Sequence, residues 1–264
     1  MKNITHPLVR IVRLARLLIH VISGLFQSIV YPYRSRSTQH RMMQNWAVSF
    51  LRILNIKLNC SGKLPTTDEQ RVLFVSNHVS WLDICVLMAT CPTRFVSKSE
   101  IRSWPIVGAL SRNVGTLFIE RAKRSDTLRI NQSIRNVLMA GDRVTVFPEG
   151  TTGDGTILGH FHASLLQSAV TEDILLRPLA ICYRNMAGEI SQEAAYVEPS
   201  LLLSLRRILS QTRIDVTLAF IDPISSCGKN RRELARLTER AIANELSLSV
   251  AHREPGKFSD LPNE

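Results

Sequence analysis

Acidic residues are missing from the first quarter of this 264-residue chain. None precedes Asp68, whereas Lys2, Arg10, Arg13, Arg16, Arg34, Arg36, Arg41, Arg52, Lys57 and Lys63 all do. Beyond Lys63, 23 Lys and Arg face 22 Asp and Glu. The formal net charge of +11 is therefore an N-terminal property. A localised cationic region attracts either nucleic acid or anionic lipid. Nucleic-acid arms are polar between their cations, and single-strand platforms add stacking aromatics. The stretch from Leu17 to Tyr33 (LLIHVISGLFQSIVYPY) has neither character, being uncharged and mainly aliphatic. That argues against a nucleic-acid partner and for an anionic membrane surface.

A long apolar run is also lacking. The 17 residues from Leu17 to Tyr33 reach ~25 Å as a helix, against a hydrocarbon core of ~30 Å. His20, Ser23, Gln27 and Ser28 interrupt them, and Pro32 favours an end there. A second stretch, Gln39 to Asn55, sets Met43, Trp46, Phe50, Ile53 and Leu54 at helical spacing. Residues 1–58 are expected to form a helical hairpin associated with one leaflet. A single span, or a second helix that simply packs on the core, are the alternatives. Both flanks are basic, so the positive-inside rule gives no orientation. No small-residue cleavage site follows, which argues against a cleaved signal. The five cysteines contain no Cys-x-x-Cys pair, and reduced thiols fit a domain facing the cytoplasm. The expected place is a membrane, on the cytoplasmic face of the inner membrane if the source is bacterial.

Several chemistries lack their signatures. No Gly-x-Ser-x-Gly elbow occurs, which disfavours the commonest serine hydrolase. Gly153-Asp154-Gly155 has no Gly-Lys-Ser/Thr ending and reads as a turn. His160-x-His162 has no companion ligands at recognisable spacing, so no metal is expected.

What is present after Lys63 is an alternation of short apolar runs with helical ones. Val72–Val75, Arg94–Val96, Thr116–Ile119, Arg143–Phe147, Leu175–Tyr183, a weak segment ending at Val197, and Ile214–Phe220 read as strands. Trp81–Ala89, a patch ending near Asn113, Thr127–Met139, Ala163–Ala169, Leu201–Leu209 and Arg231–Leu246 read as helices. The alternation predicts an α/β fold, a mixed but largely parallel sheet flanked by helices, over residues 59–250. Residues 251–264, with two prolines and a glycine, are expected to be a disordered tail.

The chemistry concentrates in Asn77-His78-Val79-Ser80-Trp81-Leu82-Asp83. His78 follows a strand, where open α/β sheets place their sites. In an unbroken helix Asp83 would turn ~140° away from His78. The two meet only if the helix begins after the histidine, and Ser80 with Asp83 three residues on has a capping-box spacing that allows it. An Asp on one imidazole nitrogen fixes the tautomer and leaves the other nitrogen as a general base. Taken alone, the pair fits equally a capping carboxylate beside a histidine satisfied by backbone. Arg121, ending Gly115-Thr-Leu-Phe-Ile-Glu-Arg, suits an anionic head group, or is an ordinary surface cation. Phe147-Pro148-Glu149-Gly150-Thr151 brackets a carboxylate with a rigid and a permissive residue, or merely makes a turn. Arg177-Pro178-Leu179-Ala180-Ile181 reads as core strand.

In this order the four blocks resemble the glycerophospholipid acyltransferase family over about residues 70–185. Asn-His-x-x-x-x-Asp and Phe-Pro-Glu-Gly-Thr match residue for residue, and Lys98, Pro105 and Gly108 fall where the family has Lys, Pro and Gly. The resemblance implies an O-acyltransferase with acyl-CoA or acyl-carrier protein as co-substrate, no further cofactor, and a lysolipid acceptor, first among them 1-acyl-sn-glycerol-3-phosphate. His78 and Asp83 would be catalytic, while Lys98, Arg121, Glu149, Gly150 and Thr151 would bind substrate. Three departures stand out: Glu120 replaces Asp, Thr152 replaces a common Arg, and Phe161-His162-Ala163-Ser164 lacks a Lys-Gly pair. Two cations fewer near the acceptor argue against a phosphate monoester, and the Thr-Thr-x-Asp-Gly run with the Phe-x-x-Ser pattern is similar to the branch acylating lyso-ornithine lipid. A lipid ester or thioester hydrolase, or a non-catalytic lipid-binding protein, is the reading of a different class.

Overall fold

A computed structural model describes residues 4–66, 69–120, 124–170, 174–197 and 200–251. Two helices lead. Helix α1 (Pro7–Val30) begins where the His6 ring accepts from the Leu8 N–H and Pro7 takes the first helical position. Helix α2 is Arg36–Ile53. Strands and helices then alternate: β1 (Ile56–Gly62), β2 (Val72–Ser76), α3 (Leu82–Thr90), β3 (Arg94–Lys98), α4 (Pro105–Asn113), β4 (Leu117–Ile119), α5 (Arg124–Met139), β5 (Val144–Val146), α6 (Gln167–Val170), β6 (Leu175–Arg184), α7 (Leu201–Ser210), β7 (Ile214–Phe220) and α8 (Arg231–Leu246).

The strands form one seven-stranded sheet in the order β1-β7-β6-β2-β5-β3-β4. Only β6 and β7 pair antiparallel, through Leu179 to Phe220 and onward to Arg184 with Asp215. Every other neighbour is parallel. The expected mixed, largely parallel α/β sheet is thus the architecture. Central β2 (Val-Leu-Phe-Val-Ser) is buried throughout, as a parallel strand covered on both faces must be. Its residues alternate between two cores: Val72 and Phe74 join α2, α3 and α7, whereas Leu73 and Val75 join α5, α6 and α8.

Two strand expectations differ. β1 had no strand signal, because Lys57, Asn59 and Ser61 alternate with exposed or half-buried neighbours along a sheet edge. The segment ending at Val197 forms no strand: residues 192–194 are turns, and Val197 lies exposed.

The two leading helices pack on each other and on the sheet domain. Gly24 lets the Trp46 indole approach so closely that a Cβ there would lie 2.4 Å from its Nε1. The His20 and Trp46 rings stack at 5.0 Å. Met43, Ala47, Phe50 and Leu51 put one side of α2 into the first core. Helix α1 buries only Leu17, Gly24 and Ser28. Leu8, Ile11, Leu18, Ile19, Ile22 and Phe26 (68% exposed) face outward. No described helix is long and apolar enough to cross a membrane. Residues 252–264, read from sequence as a tail, lie outside the described residues.

Candidate active site

β2 ends at Ser76, and the chain turns across the carboxyl ends of its parallel neighbours β5 and β6. Asn77 fixes that turn. Its amide donates to the Ile181 carbonyl at 2.9 Å and accepts from the Ile181 N–H at 2.8 Å. Helix α3 begins at Leu82, after His78, so the condition for His78 to meet Asp83 is fulfilled. Ser80 helps start the helix, its Oγ accepting from Leu82 N–H and its carbonyl from Asp83 N–H.

Asp83 is fully buried and surrounded by donors. Oδ2 lies 2.8 Å from His78 Nδ1 and accepts from the Val79 and Ser80 N–H groups at 2.8 and 3.0 Å. Oδ1 accepts from the Tyr183 hydroxyl at 2.7 Å. A carboxylate only accepts, so Nδ1 carries the imidazole proton and Nε2 keeps its lone pair. The His78 side chain is 20% exposed, and its ring stacks on Phe147 with centroids 4.1 Å apart. The geometry supplies a fixed tautomer, and Nε2, the nitrogen that Asp83 does not hold, is the one that can take a proton from a bound hydroxyl.

Glu149 sits directly behind. Its Oε1 accepts from the His78 N–H at 2.6 Å and its Oε2 from the Gly159 N–H at 2.8 Å. Burial pushes its carboxyl up to about 7, opposed by those two donors. Gly150, at φ 78°, adopts the left-handed conformation that reverses the chain after Glu149. Gly153 N–H then donates to the His78 carbonyl at 2.8 Å, so the loop grips the histidine backbone from both sides.

Replacing Glu149 by Gln should therefore loosen His78. The amide can accept one of the two N–H groups, but its NH2 faces the other. An orphaned buried N–H costs ~1–3 kcal/mol. We expect a lower melting temperature and kcat reduced about tenfold. The carboxyl stands above its ordinary value in the fold, so the stability it contributes is complete below ~4.5 and lost as pH rises through about 7. Thermal unfolding should show the Gln variant's deficit greatest near pH 5 and smaller near pH 8. A deficit that grows with pH would contradict this account.

The other sequence-derived residues are spread around this centre. Lys98 is exposed at the carboxyl end of β3, with β5 between it and β2. Gly150 and Thr151 continue the Glu149 turn, with Thr151 at the surface. Arg121 lies outside the described residues. Thr152, at the position where Arg is common, bonds the Tyr196 carbonyl through its hydroxyl. His160 meets Glu239 at 3.2 Å and His162 edge-on, which anchors the loop to α8. Among the described residues no three metal-ligating side chains gather.

Sequence reasoning missed Tyr183 and the orienting part of Asn77. A phenol amid the apolar residues of β6 was the available signal, since a buried tyrosine must find a partner.

A profile of the Acyltransferase family matches residues 57–182. The chain is 36% identical over 239 residues to a lyso-ornithine lipid O-acyltransferase of Pseudomonas aeruginosa, covering 88% of this chain and 91% of that protein. It is 37% identical over 160 residues to a 1-acyl-sn-glycerol-3-phosphate acyltransferase of Neisseria gonorrhoeae, covering 61% and 63%. The crystal structure of the 1-acyl-sn-glycerophosphate acyltransferase of Thermotoga maritima superposes with a TM-score of 0.62 at 20% identity, over 89% of this chain and 96% of that one. The last likeness is one of fold.

Proposed function

The chain belongs to the acyltransferase family, and from that premise we propose that it moves a fatty acyl group from a thioester to the hydroxyl of a lysolipid, with His78 as general base. The observation that carries the reading is the 2.8 Å contact between His78 Nδ1 and a buried Asp83. His78 Nε2 takes the acceptor's hydroxyl proton as that oxygen attacks the thioester carbonyl. The tetrahedral intermediate collapses, the C–S bond breaks, and the departing sulfur takes the proton back from the imidazolium. Asp83 stabilises the imidazolium between these events. No acyl-enzyme arises, and no metal is required. The donor is acyl-CoA or acyl-carrier protein.

The first acceptor reading is 1-acyl-sn-glycerol-3-phosphate, giving phosphatidic acid, with Lys98 and Arg121 receiving the phosphate and the Glu149–Thr151 turn shaping the pocket. The second is lyso-ornithine lipid. Thr152 favours it, for a hydroxyl bonded to a carbonyl stands where an Arg would face a phosphate.

The outward apolar face of α1, with Arg10, Arg13 and Arg16 along the same helix, suits an in-plane position on anionic lipid. Leu202 and Leu203 of α7 are exposed as well, and Arg206 and Arg207 follow them on that helix. The corresponding location is the cytoplasmic face of a membrane.

One assay tests these points. Labelled acyl-CoA and acyl-carrier protein are offered with 1-acyl-sn-glycerol-3-phosphate, lyso-ornithine lipid and other lysolipids, in anionic or zwitterionic vesicles. Turnover should require a lysolipid and be faster on the anionic vesicles, and the preferred acceptor identifies the head group. Fatty acid released at the same rate without any lysolipid would replace the transferase reading by a hydrolase. Equal rates on both vesicles would remove the anionic surface.

A further inference from the structure

Tyr183 is 2% exposed and stands on β6, a hundred residues from the carboxylate that its hydroxyl meets at 2.7 Å. Leu179, Ile181 and Tyr183 share one face of that strand and one core. Leu and Ile need nothing but packing there, whereas the phenol ends in a polar atom that must be satisfied. Its partner is Asp83 Oδ1, the oxygen that neither His78 nor the Val79 and Ser80 amides touch. We propose that Tyr183 is a positioning residue of the acyl transfer: it holds the Asp83 carboxylate in rotation and shares its charge, so that His78 is kept oriented and its interaction with the carboxylate is tempered. This rests on the reading of His78 as general base.

Two effects follow from one bond. An O–H to carboxylate bond is short and strong, and it locks the rotation that keeps Oδ2 opposite Nδ1. It also shares the carboxylate's charge. An undiluted carboxylate would bind the imidazolium more tightly, and the histidine would remain protonated to higher pH. The phenol keeps its proton throughout, since burial and the adjacent Asp83 and Cys85 raise it well above the ordinary tyrosine value. The other titratable groups facing this cluster are His78 and Cys85 on the Asp83 side and Glu149 behind the histidine. Neither Cys85 nor Glu149 donates to Asp83. Tyr183 is therefore the only side chain besides His78 that hydrogen-bonds this carboxylate among the described residues.

The test compares wild type, Tyr183→Phe and a 3-fluorotyrosine substitution at position 183, which keeps the shape but makes the hydroxyl a stronger donor. The full-length chain is assayed on lysolipid vesicles with acyl-CoA across pH. Tyr183→Phe should lower kcat about tenfold, leave KM for the lysolipid within about twofold, and move the acid limb of kcat/KM upward by about half a pH unit or more. Fluorotyrosine should move the same limb downward. Should the Phe chain fail to fold, the fluorotyrosine protein alone decides. An acid limb unmoved by fluorotyrosine, or a Tyr183→Phe effect confined to KM or thermal stability, would overturn the proposal. His78→Ala run alongside separates the two readings. If it retains turnover, the general-base assignment has failed. If it is inactive while the limb stays fixed, only the role of Tyr183 has.

Discussion

Replacing His78 by Ala is expected to lower kcat by ~10²–10⁴-fold, the usual contribution of a positioned general base. The fold should hardly notice. His78 is partly exposed, its ring stacks on Phe147 and bonds Asp83, and the variant leaves the carboxylate with three of its four donors. Circular dichroism, thermal unfolding and sedimentation with anionic vesicles should match wild type. Turnover within tenfold of wild type would rule out His78 as the base, whatever the sequence resembles.

Asp83→Asn should be nearly as damaging to turnover, yet for a different reason. The Val79 and Ser80 amides both need an acceptor at the Oδ2 position, which pins the Asn oxygen there and directs its NH2 toward Tyr183. The tyrosine oxygen can accept that bond, so the chain should still fold. His78 also keeps its tautomer. What disappears is the negative charge that stabilises the imidazolium, and kcat should fall on the order of 10³-fold. The acid limb should move to lower pH, opposite to Tyr183→Phe. Asp83→Ala removes the acceptor for three buried donors as well as for His78, each orphan costing ~1–3 kcal/mol, and should be recovered poorly or aggregated. An Asn variant as unstable as the Ala variant would refute this division between charge and hydrogen bonding.

These contrasts mark what the sequence could and could not convey. The encounter of His78 with Asp83 was legible because the two are close in sequence and a short capping argument fixes where α3 must start. The parallel sheet was legible from apolar runs such as Val-Leu-Phe-Val, whose burial on both faces leaves no polar alternation. β1 was not, since an edge strand needs only one buried side chain in its ladder, and Ile56 is the only buried residue among its seven. Helix α1 starts at Pro7, ten residues before the uncharged run, because arginine is a good helix former and does not interrupt a helix, and Arg13 turns inward to the Gln211 and Thr212 carbonyls. Glu149 was singled out, but its targets were hidden. They are the backbone N–H groups of His78 and Gly159, and amides have no letter in a sequence. Tyr183 escaped because its partner is a hundred positions away and the pairing depends on the β2–β6 register.

That register has a consequence for the nascent chain. The hydrogen bonds described above that hold the histidine–aspartate pair from outside its own loop come from later in the sequence: Glu149 and Gly153 after β5, then the Ile181 backbone and the Tyr183 hydroxyl on β6. A ribosome-bound chain that ends before β6 already contains His78 and Asp83 but neither the Asn77 anchor nor the phenol. The histidine–aspartate site is thus assembled late in synthesis, after both leading helices have emerged.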